Sequence, residues 1–279
     1  MENDPSKPIY IDFDTKEKPK ITTPSLFVAT PVHSEVSIHY TQTLLDIQKL
    51  CAEKKITCMF QLMKSSLVTQ GRNLCVSAFL ESGFSHMLFI DSDISFDAES
   101  VFKMIEKDKE IIAMPYPLKS AKWEKMLNKI KDGVITTPQE AHFGINTYPI
   151  RLADETDIDF DDGVIEVTHS PTGCMLIQKR VFDKLIKEYP GMDIKQETVI
   201  NGKFVAKPHL YNFFDTYHDK ETKMYLGEDF AFCRLWRNIG GKCYCYITDY
   251  ISHTGEFSYS GRLMDEMTKL EVENTTDQG

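Results

Sequence analysis

The sequence predicts an α/β protein whose mostly parallel sheet is flanked by helices, and three observations predict it. Apolar runs of strand length recur at "SLFVAT", "ITCMFQLM", "HMLFI" and "EIIAMPY". Between them lie stretches with apolar residues at helical spacing, so the chain reads as strand–helix–strand units that pack with helices on both faces of a sheet. The third run, from Met87 to Ile90, is apolar throughout and reads as a strand buried on both sides.

Taken in order, "SLFVAT" is a strand stopped by Pro31, which has no N–H to offer a ladder. "EVSIHYTQTLLDIQKLCAEKK" is a helix, "ITCMFQLM" a strand, and "GRNLCVSAFLESG" a helix closed by Gly83. "HMLFI" is followed by the helix "AESVFKMIEKD", which Ser95 or Asp97 can cap, and then by the strand "EIIAMPY". After Lys119 the pattern loosens: "SAKWEKMLNKIKDG" reads as a helix and "ADETDIDFDD" as a solvated acidic loop. "GVIEVTHSPTGCMLIQ" resumes as strand, "KRVFDKLIKEYPG" and "GEDFAFCRLWRNIGG" are helices, and "KCYCYI" is a strand. In such a sheet, ligands sit at the carboxyl ends of the strands, where Thr30, Asp91 and Pro115 fall.

No internal repeat or linker interrupts residues 24–267, which predicts one domain between a polar segment, 1–23, and a polar tail, 268–279. Its second half, 121–267, is expected to form a mixed α/β extension over the carboxyl edge of the sheet built by 24–120. With 279 residues, 42% of them hydrophobic, there is ample material for a core. A net charge of -10 argues against a protein that grips nucleic acid. No apolar run approaches the roughly 18 residues of a membrane span, and the N-terminus is charged, so a cytoplasmic protein without a membrane anchor is expected. The seven cysteines are odd in number and form no CxxC pair, which points to buried free thiols rather than disulfides or zinc.

Three constellations carry chemistry. Asp91 and Asp93 flank Ser92 where the buried strand gives way to a loop. Two adjacent carboxylates repel unless a cation separates them, and a hard divalent ion such as Mg²⁺ or Mn²⁺ is the usual answer. Helix capping does not explain them, since Ser95 and Asp97 suffice for that. In "YLGEDFAFCRLWRNIGG", Glu228 and Asp229 open an amphipathic helix. Acids there favour the helix dipole, yet a carboxylate at a helix start over a sheet edge is also placed to take a proton. In "ISHTGEFSYSG", His253 follows a strand between Gly255 and Gly261, a setting that suits a neutral imidazole ligand.

"FIDSD", "GEDFAF" and "HTG", in this order, resemble the GT-A class of nucleotide-sugar-dependent glycosyltransferases. Lesser marks are "VATPVH", "GRN", "PYPLK" with Trp123, and "SPTGCMLIQKRVF", so the resemblance spans roughly Leu26 to Gly261. The small form also resembles glycosyltransferases encoded by large DNA viruses and phages, chlorovirus enzymes of capsid-glycan assembly among them. That likeness implies host cytoplasm if the chain is viral, and makes xylose a candidate sugar.

The resemblance implies a GT-A fold with a nucleotide-sugar-binding half, 24–120, and an acceptor half, 121–267. It makes Asp93, Asp91 and His253 the ligands of Mn²⁺ or Mg²⁺, with Asp91 on the ribose or on the metal through water. Thr30, Pro31, His33, Arg72, Ser92 and Lys119 would bind the donor, a UDP-sugar by preference. Asp229 would deprotonate the hydroxyl of a glycan or glycoprotein acceptor, giving inversion. Gly173, Glu228, Trp123 and His169 would line the sugar and acceptor pocket, with Tyr116, Phe143 and Tyr148 as further stacking candidates. Pro31 and His33 stand where a Gly or Asp is often met, a departure in the first loop. Rival readings are a haloacid-dehalogenase-type phosphatase using Asp91 and Asp93, a nucleotidyltransferase, and a non-catalytic nucleotide- or carbohydrate-binding protein.

Overall fold

The computed structural model describes residues 24–156, 158–200, 203–220, 222–256 and 264; segments 1–23 and 268–279 and the glycine at 261 lie outside them. The first half runs β1 (Ser25–Val32), α1 (Ile38–Glu53), β2 (Thr57–Lys64), α2 (Val68–Ser82), β3 (His86–Ile90), β4 (Ile94–Phe96), α3 (Glu99–Glu106) and β5 (Ile111–Ala113). Local chemistry sets the boundaries. The Ser37 side chain caps α1 by accepting from the Tyr40 N–H, and Gly83 ends α2 at a φ of 75°. Asp97 accepts from the Glu99 N–H at 3.0 Å, which makes it the capping residue of α3.

The second half supplies α4 (Trp123–Lys131), α5 (Pro138–Gly144), β6 (Arg151–Leu152), β7 (Phe160–Asp161), β8 (Val164–His169), β9 (Cys174–Gln178) and α6 (Lys179–Glu188). It continues with β10 (Glu197–Ile200), β11 (Lys203–Ala206), β12 (Tyr217–His218), β13 (Tyr225–Leu226), α7 (Glu228–Asn238), β14 (Cys243–Tyr246) and β15 (Ile251–His253).

Nine strands form the main sheet in the order β2-β1-β3-β9-β5-β14-β8-β6, with β7 also on β8. β1 pairs in parallel with β2 and β3, β14 pairs in parallel with β5, and β9 runs antiparallel to both β3 and β5. Hence β2, β1, β3, β5 and β14 share one direction, and the expected mostly parallel sheet is what forms. Its central strands, β1, β3, β9 and β5, are buried on both faces. Phe27, Ala29, Met87 and Phe89 pack under Cys75, Phe79, Phe182, Phe232 and Trp236 of α2, α6 and α7. Leu26, Val28, Leu88 and Ile90 pack against Tyr40, Ile47, Val101 and Phe102 of α1 and α3. Each large apolar side chain buried this way is worth about 1.5–3 kcal/mol relative to exposure. Cys243 and Cys245 sit in the first of these clusters, both fully buried free thiols.

Three departures from the expected pattern shape the edge where ligands would bind. β1 does not stop before Pro31; it continues to Val32 beside β2. Its pairing with β3 ends at Ala29, so beyond that point it has one neighbour, and a residue without an N–H fits there. The stretch 163–178 is two strands, not one, because Ser170 to Gly173 turn at the carboxyl edge of β3. Leaving from that edge, β9 can only run back between β3 and β5, which is why an antiparallel strand enters the sheet. Finally, β4 and β15 pair as a small antiparallel ribbon, His253 opposite Ile94, and this ribbon was not expected.

Candidate active site

β3 is sealed to its last residue, so Asp91 is the first side chain able to leave the core at the carboxyl edge. Its N–H donates to the Gly173 carbonyl at 3.0 Å, which ties the β8–β9 turn to the end of β3. Gly173 needs to be glycine for space. A Cβ there would lie 2.4 Å from Cε1 of Tyr116 and 3.1 Å from Asp91 Oδ2. Gly173→Ala is therefore expected to cost about 1–3 kcal/mol, as overpacking of a filled site does. A lowered urea midpoint would register it; an unchanged midpoint would mean that Tyr116 has room to move.

Arg72, on α2, is buried to 3% exposure. Its Nη2 donates to Asp91 Oδ2 at 3.2 Å and lies 3.0 Å from Oδ1, while Nε donates to Glu228 Oε1 at 3.2 Å. The guanidinium also lies over the Phe89 ring, 5.2 Å from its centroid. Burial alone would lower the pKa of Arg72, but the Asp91 and Glu228 carboxylates hold it above its ordinary value. One nitrogen, Nη1, has no hydrogen-bond partner among the described residues, and the same holds for the buried Thr172 Oγ1. A buried donor left unpaired costs about 1–3 kcal/mol, so an arginine in this state is suited to an incoming oxyanion.

The β4–β15 ribbon brings Asp93 and His253 together. The Thr254 N–H donates to the Asp93 carbonyl at 2.8 Å, and His253 Nε2 lies 3.4 Å from Asp93 Oδ2. His253 Nδ1 shares a 2.9 Å hydrogen bond with the Pro117 carbonyl, which can only accept, so Nδ1 carries hydrogen and Nε2 is the atom turned to Asp93. The Lys119 ammonium donates to the same Asp93 oxygen. Its stem crosses Gly255, where a Cβ would stand 2.6 Å from Lys119 Cδ. Burial would raise the pKa of Asp93, but the neighbouring His253 ring and the Lys119 ammonium pull it down to about 2.

Asp229, in the first turn of α7, has the opposite character. Burial, helped by the neighbouring Glu228 charge, pushes its pKa up to about 6 against the hydrogen bond it accepts from the Phe230 N–H and the nearby Arg72 charge. That bond, 2.7 Å to Oδ1, leaves Oδ2 as the oxygen that the Phe230 N–H does not hold. Tyr116 stands among these groups, its ring edge-on to His253 at 4.8 Å. Burial, then the Asp91 charge, raises its pKa and keeps the phenol protonated.

The structure thus gathers Arg72, Asp91 and Glu228 into one cluster and Asp93, His253 and Lys119 into another. Of the three anticipated metal ligands, Asp93 and His253 stand side by side, whereas Asp91 is turned to Arg72. Among the described residues no group of three or more His, Cys, Asp and Glu side chains converges as a metal site. Two of the anticipated ligands, Asp93 and His253, thus stand side by side, with the Lys119 ammonium on the same Asp93 oxygen.

The remaining candidates are placed as follows. Thr30 is buried and its Oγ1 accepts from the Tyr40 hydroxyl at 2.6 Å, so this side chain is already committed. Pro31 is half-buried and His33 exposed after β1, and the Ser92 carbonyl accepts from the Ser37 N–H at 2.8 Å. His169 is buried against Phe230, ring centroids 4.9 Å apart. Burial and the charges of Arg151, Arg237 and Arg234 lower its pKa to about 4, so it is neutral. Trp123 is half-exposed on α4 and lines an open groove of about 730 Å³ that shares no residue with the two clusters. Tyr148 is partly exposed, and the side chain at Phe143 lies outside the described residues.

Sequence reasoning missed Gly255 as the bed of Lys119 and Asn73 as the partner of the Phe214 backbone. Both stand inside quoted motifs, "HTG" and "GRN", and adjacency to His253 and Arg72 was the available signal.

No protein-family model matches this sequence, nor does any curated protein. Among solved structures the chain is similar to A197 from STIV, at 14% identity over 86% of this chain and 97% of that one, with a TM-score of 0.43. It is also similar to UDP-glucose pyrophosphorylase complexed with UDP-glucose, at 8% identity over 81% and 92%, with a TM-score of 0.40. A glycosyltransferase involved in glycosylation of the major capsid of PBCV-1 is similar at 10% identity over 60% and 67%, with a TM-score of 0.31.

Proposed function

We propose that this chain is a GT-A glycosyltransferase that moves a sugar from a nucleoside-diphosphate donor, a UDP-sugar by preference, to a hydroxyl of a glycan or glycoprotein. The observation that carries the proposal is a buried arginine with an unpaired nitrogen at the strand ends and, in the first turn of α7 beside its partner Glu228, a carboxyl whose pKa lies at about 6. The first suits an anionic leaving group, the second a proton acceptor working near neutral pH.

Asp229 takes the proton of the acceptor hydroxyl at Oδ2. The acceptor oxygen then bonds to the anomeric carbon from the face opposite the diphosphate, the bond to the diphosphate oxygen breaks, and configuration inverts. Arg72 and Lys119 offset the charge that gathers on the departing diphosphate. Asp93 and His253 would hold a divalent ion, Mn²⁺ or Mg²⁺, which when bound supplies Lewis-acid stabilisation of that charge. Residues 24–120 serve the nucleotide and 121–267 the acceptor. Motif likeness to viral enzymes makes capsid-glycan assembly in a host cytoplasm the proposed setting and xylose the first sugar to test. No helix among the described residues is long and apolar enough to cross a membrane.

The phosphatase reading requires Asp91 as a free nucleophile, and both its oxygens lie within 3.2 Å of Arg72 Nη2. Melting curves with UDP-, GDP-, CMP- and dTDP-sugars in Mn²⁺, Mg²⁺ or EDTA separate these readings. A ligand at about 100 times its Kd adds roughly 2.7 kcal/mol of stability, so a metal-dependent upward shift with UDP-sugars is expected. No shift with any donor, combined with hydrolysis of p-nitrophenyl phosphate, would overturn the proposal.

A further inference from the structure

One stripe of α7 leads from the cluster into a second pocket. Glu228, Ala231 and Leu235 follow one another at helical spacing, and Arg234 and Asn238 flank them. Between this stripe and the segment 212–217 lies a cavity of about 250 Å³, walled by Asn212, Asp215, Tyr217, Arg234, Leu235 and Asn238 among others. That is below the roughly 300–1,000 Å³ of drug-sized sites, so it suits one small ring rather than a whole nucleotide sugar.

Its walls are fixed in place by the motif that builds the catalytic cluster. Asn73, next to Arg72, donates to Asn212 Oδ1 and to the Phe214 carbonyl, each at 3.1 Å, and accepts from the Phe214 N–H at 2.9 Å. Asn212 in turn donates to Asp215 Oδ2 at 2.8 Å. The Arg234 guanidinium lies 4.7 Å from the centroid of the Tyr217 ring and donates to Asp219 Oδ2 at 2.7 Å, while Tyr217 keeps 43% of its surface exposed.

The lining pairs an aromatic ring with carboxamide and carboxylate groups; Asp215 accepts from Asn212, and the Arg234 charge is met by Asp219. Carbohydrate has that chemistry: a C–H face that stacks on a ring, and adjacent hydroxyls that both donate and accept. A phosphate or a nucleotide would meet an opposing carboxylate there. From Asp229 to Leu235 the helix axis advances about 9 Å, which sets the pocket back from the reacting hydroxyl.

We infer that this pocket is an acceptor subsite, holding on Tyr217 a neutral sugar ring that precedes the one being glycosylated. The inference rests on the glycosyltransferase reading for its biological role, and its test is separate. Saturation-transfer NMR on the full chain would use the methyl glycosides of xylose, glucose, galactose, mannose and fucose, each with and without UDP.

At least one glycoside should receive saturation from the wild-type chain. Tyr217→Ala should cut that signal about threefold to tenfold, as loss of an aromatic contact does, whereas Tyr217→Phe keeps it and the UDP signal is unchanged in both. Asn238→Ala, at an exposed position, should weaken it without altering the melting temperature. A wild-type chain that saturates UDP and no glycoside overturns the subsite and leaves the donor reading standing. A glycoside signal lost in Tyr217→Ala, from a chain that never saturates UDP, supports the subsite while the donor reading fails. Equal glycoside signals in wild type and Tyr217→Ala also overturn it.

Discussion

Asp229→Asn should slow sugar transfer by about 10²- to 10⁴-fold, the usual worth of a positioned general base, and should leave UDP-sugar binding near the wild-type value. The same substitution should stabilise the protein at neutral pH. Asp229 has a folded-state pKa raised from 3.8 to about 6, so folding favours its protonated form. At pH 7 and above the carboxylate is ionised in both states, and the folded state bears the cost of holding that charge out of water. Below pH 4 it is protonated in both, and the cost is gone.

Asparagine never carries the charge. The variant's gain in melting temperature should therefore be full above pH 6 and fade as the pH falls from 6 toward 4, with a magnitude on the order of 2 kcal/mol. In the wild type, kcat should rise with pH through about 6 as the base ionises, provided chemistry limits turnover. Paired rate and melting measurements between pH 4.5 and 8 check both statements. A variant that is slow and also less stable at pH 7 would make Asp229 a structural residue and sink its assignment as base. A gain in stability with loss of rate is what a group held against its solvation for function produces.

Much of this arrangement was legible in the sequence, for identifiable physical reasons. "HMLFI" matched β3 to the residue because an apolar run on a doubly buried strand has no ambiguity of face. Asp91, Glu228 and Asp229 stood out because acids at the ends of apolar elements need an explanation, and the structure places all three at one edge. What stayed hidden depends on pairings distant in sequence. β4 and β15 have three residues each, too short for any period, and only their pairing sets His253 beside Asp93. The reversal of β9 likewise follows from where the Ser170–Gly173 turn sits on the sheet, which no local pattern encodes. Arg72 was legible as a basic residue at the start of a helix, but its two-sided clamp was not, because Glu228 lies 156 residues away.

That clamp yields the largest expected effect on stability. Arg72→Met should lower stability by about 3–5 kcal/mol, because it strips the counter-ion from two carboxylates that stay largely buried. Asp91 and Glu228 keep only 25% and 17% of their side-chain surface exposed, and Arg72 only 3%, so water cannot easily take the place of the guanidinium. At about 2–4 °C per kcal/mol for a chain of this size, the melting temperature should fall by roughly 10 °C. Removing all three charges together, in Arg72→Met with Asp91→Asn and Glu228→Gln, should recover much of that loss, since the cost lies in unpaired charge and not in the missing bonds. A single variant that melts within a degree of wild type would mean that the carboxylates are solvated and that no clamp joins α2, β3 and α7. The single variant should also move the pH profile in a fixed direction. The Arg72 charge lowers the pKa of Asp229, so without it that carboxyl holds its proton more tightly, and the rising limb of kcat should shift above 6. Stability and titration then report on the same guanidinium by independent routes, one through the charges it neutralises and the other through the base it keeps ionised.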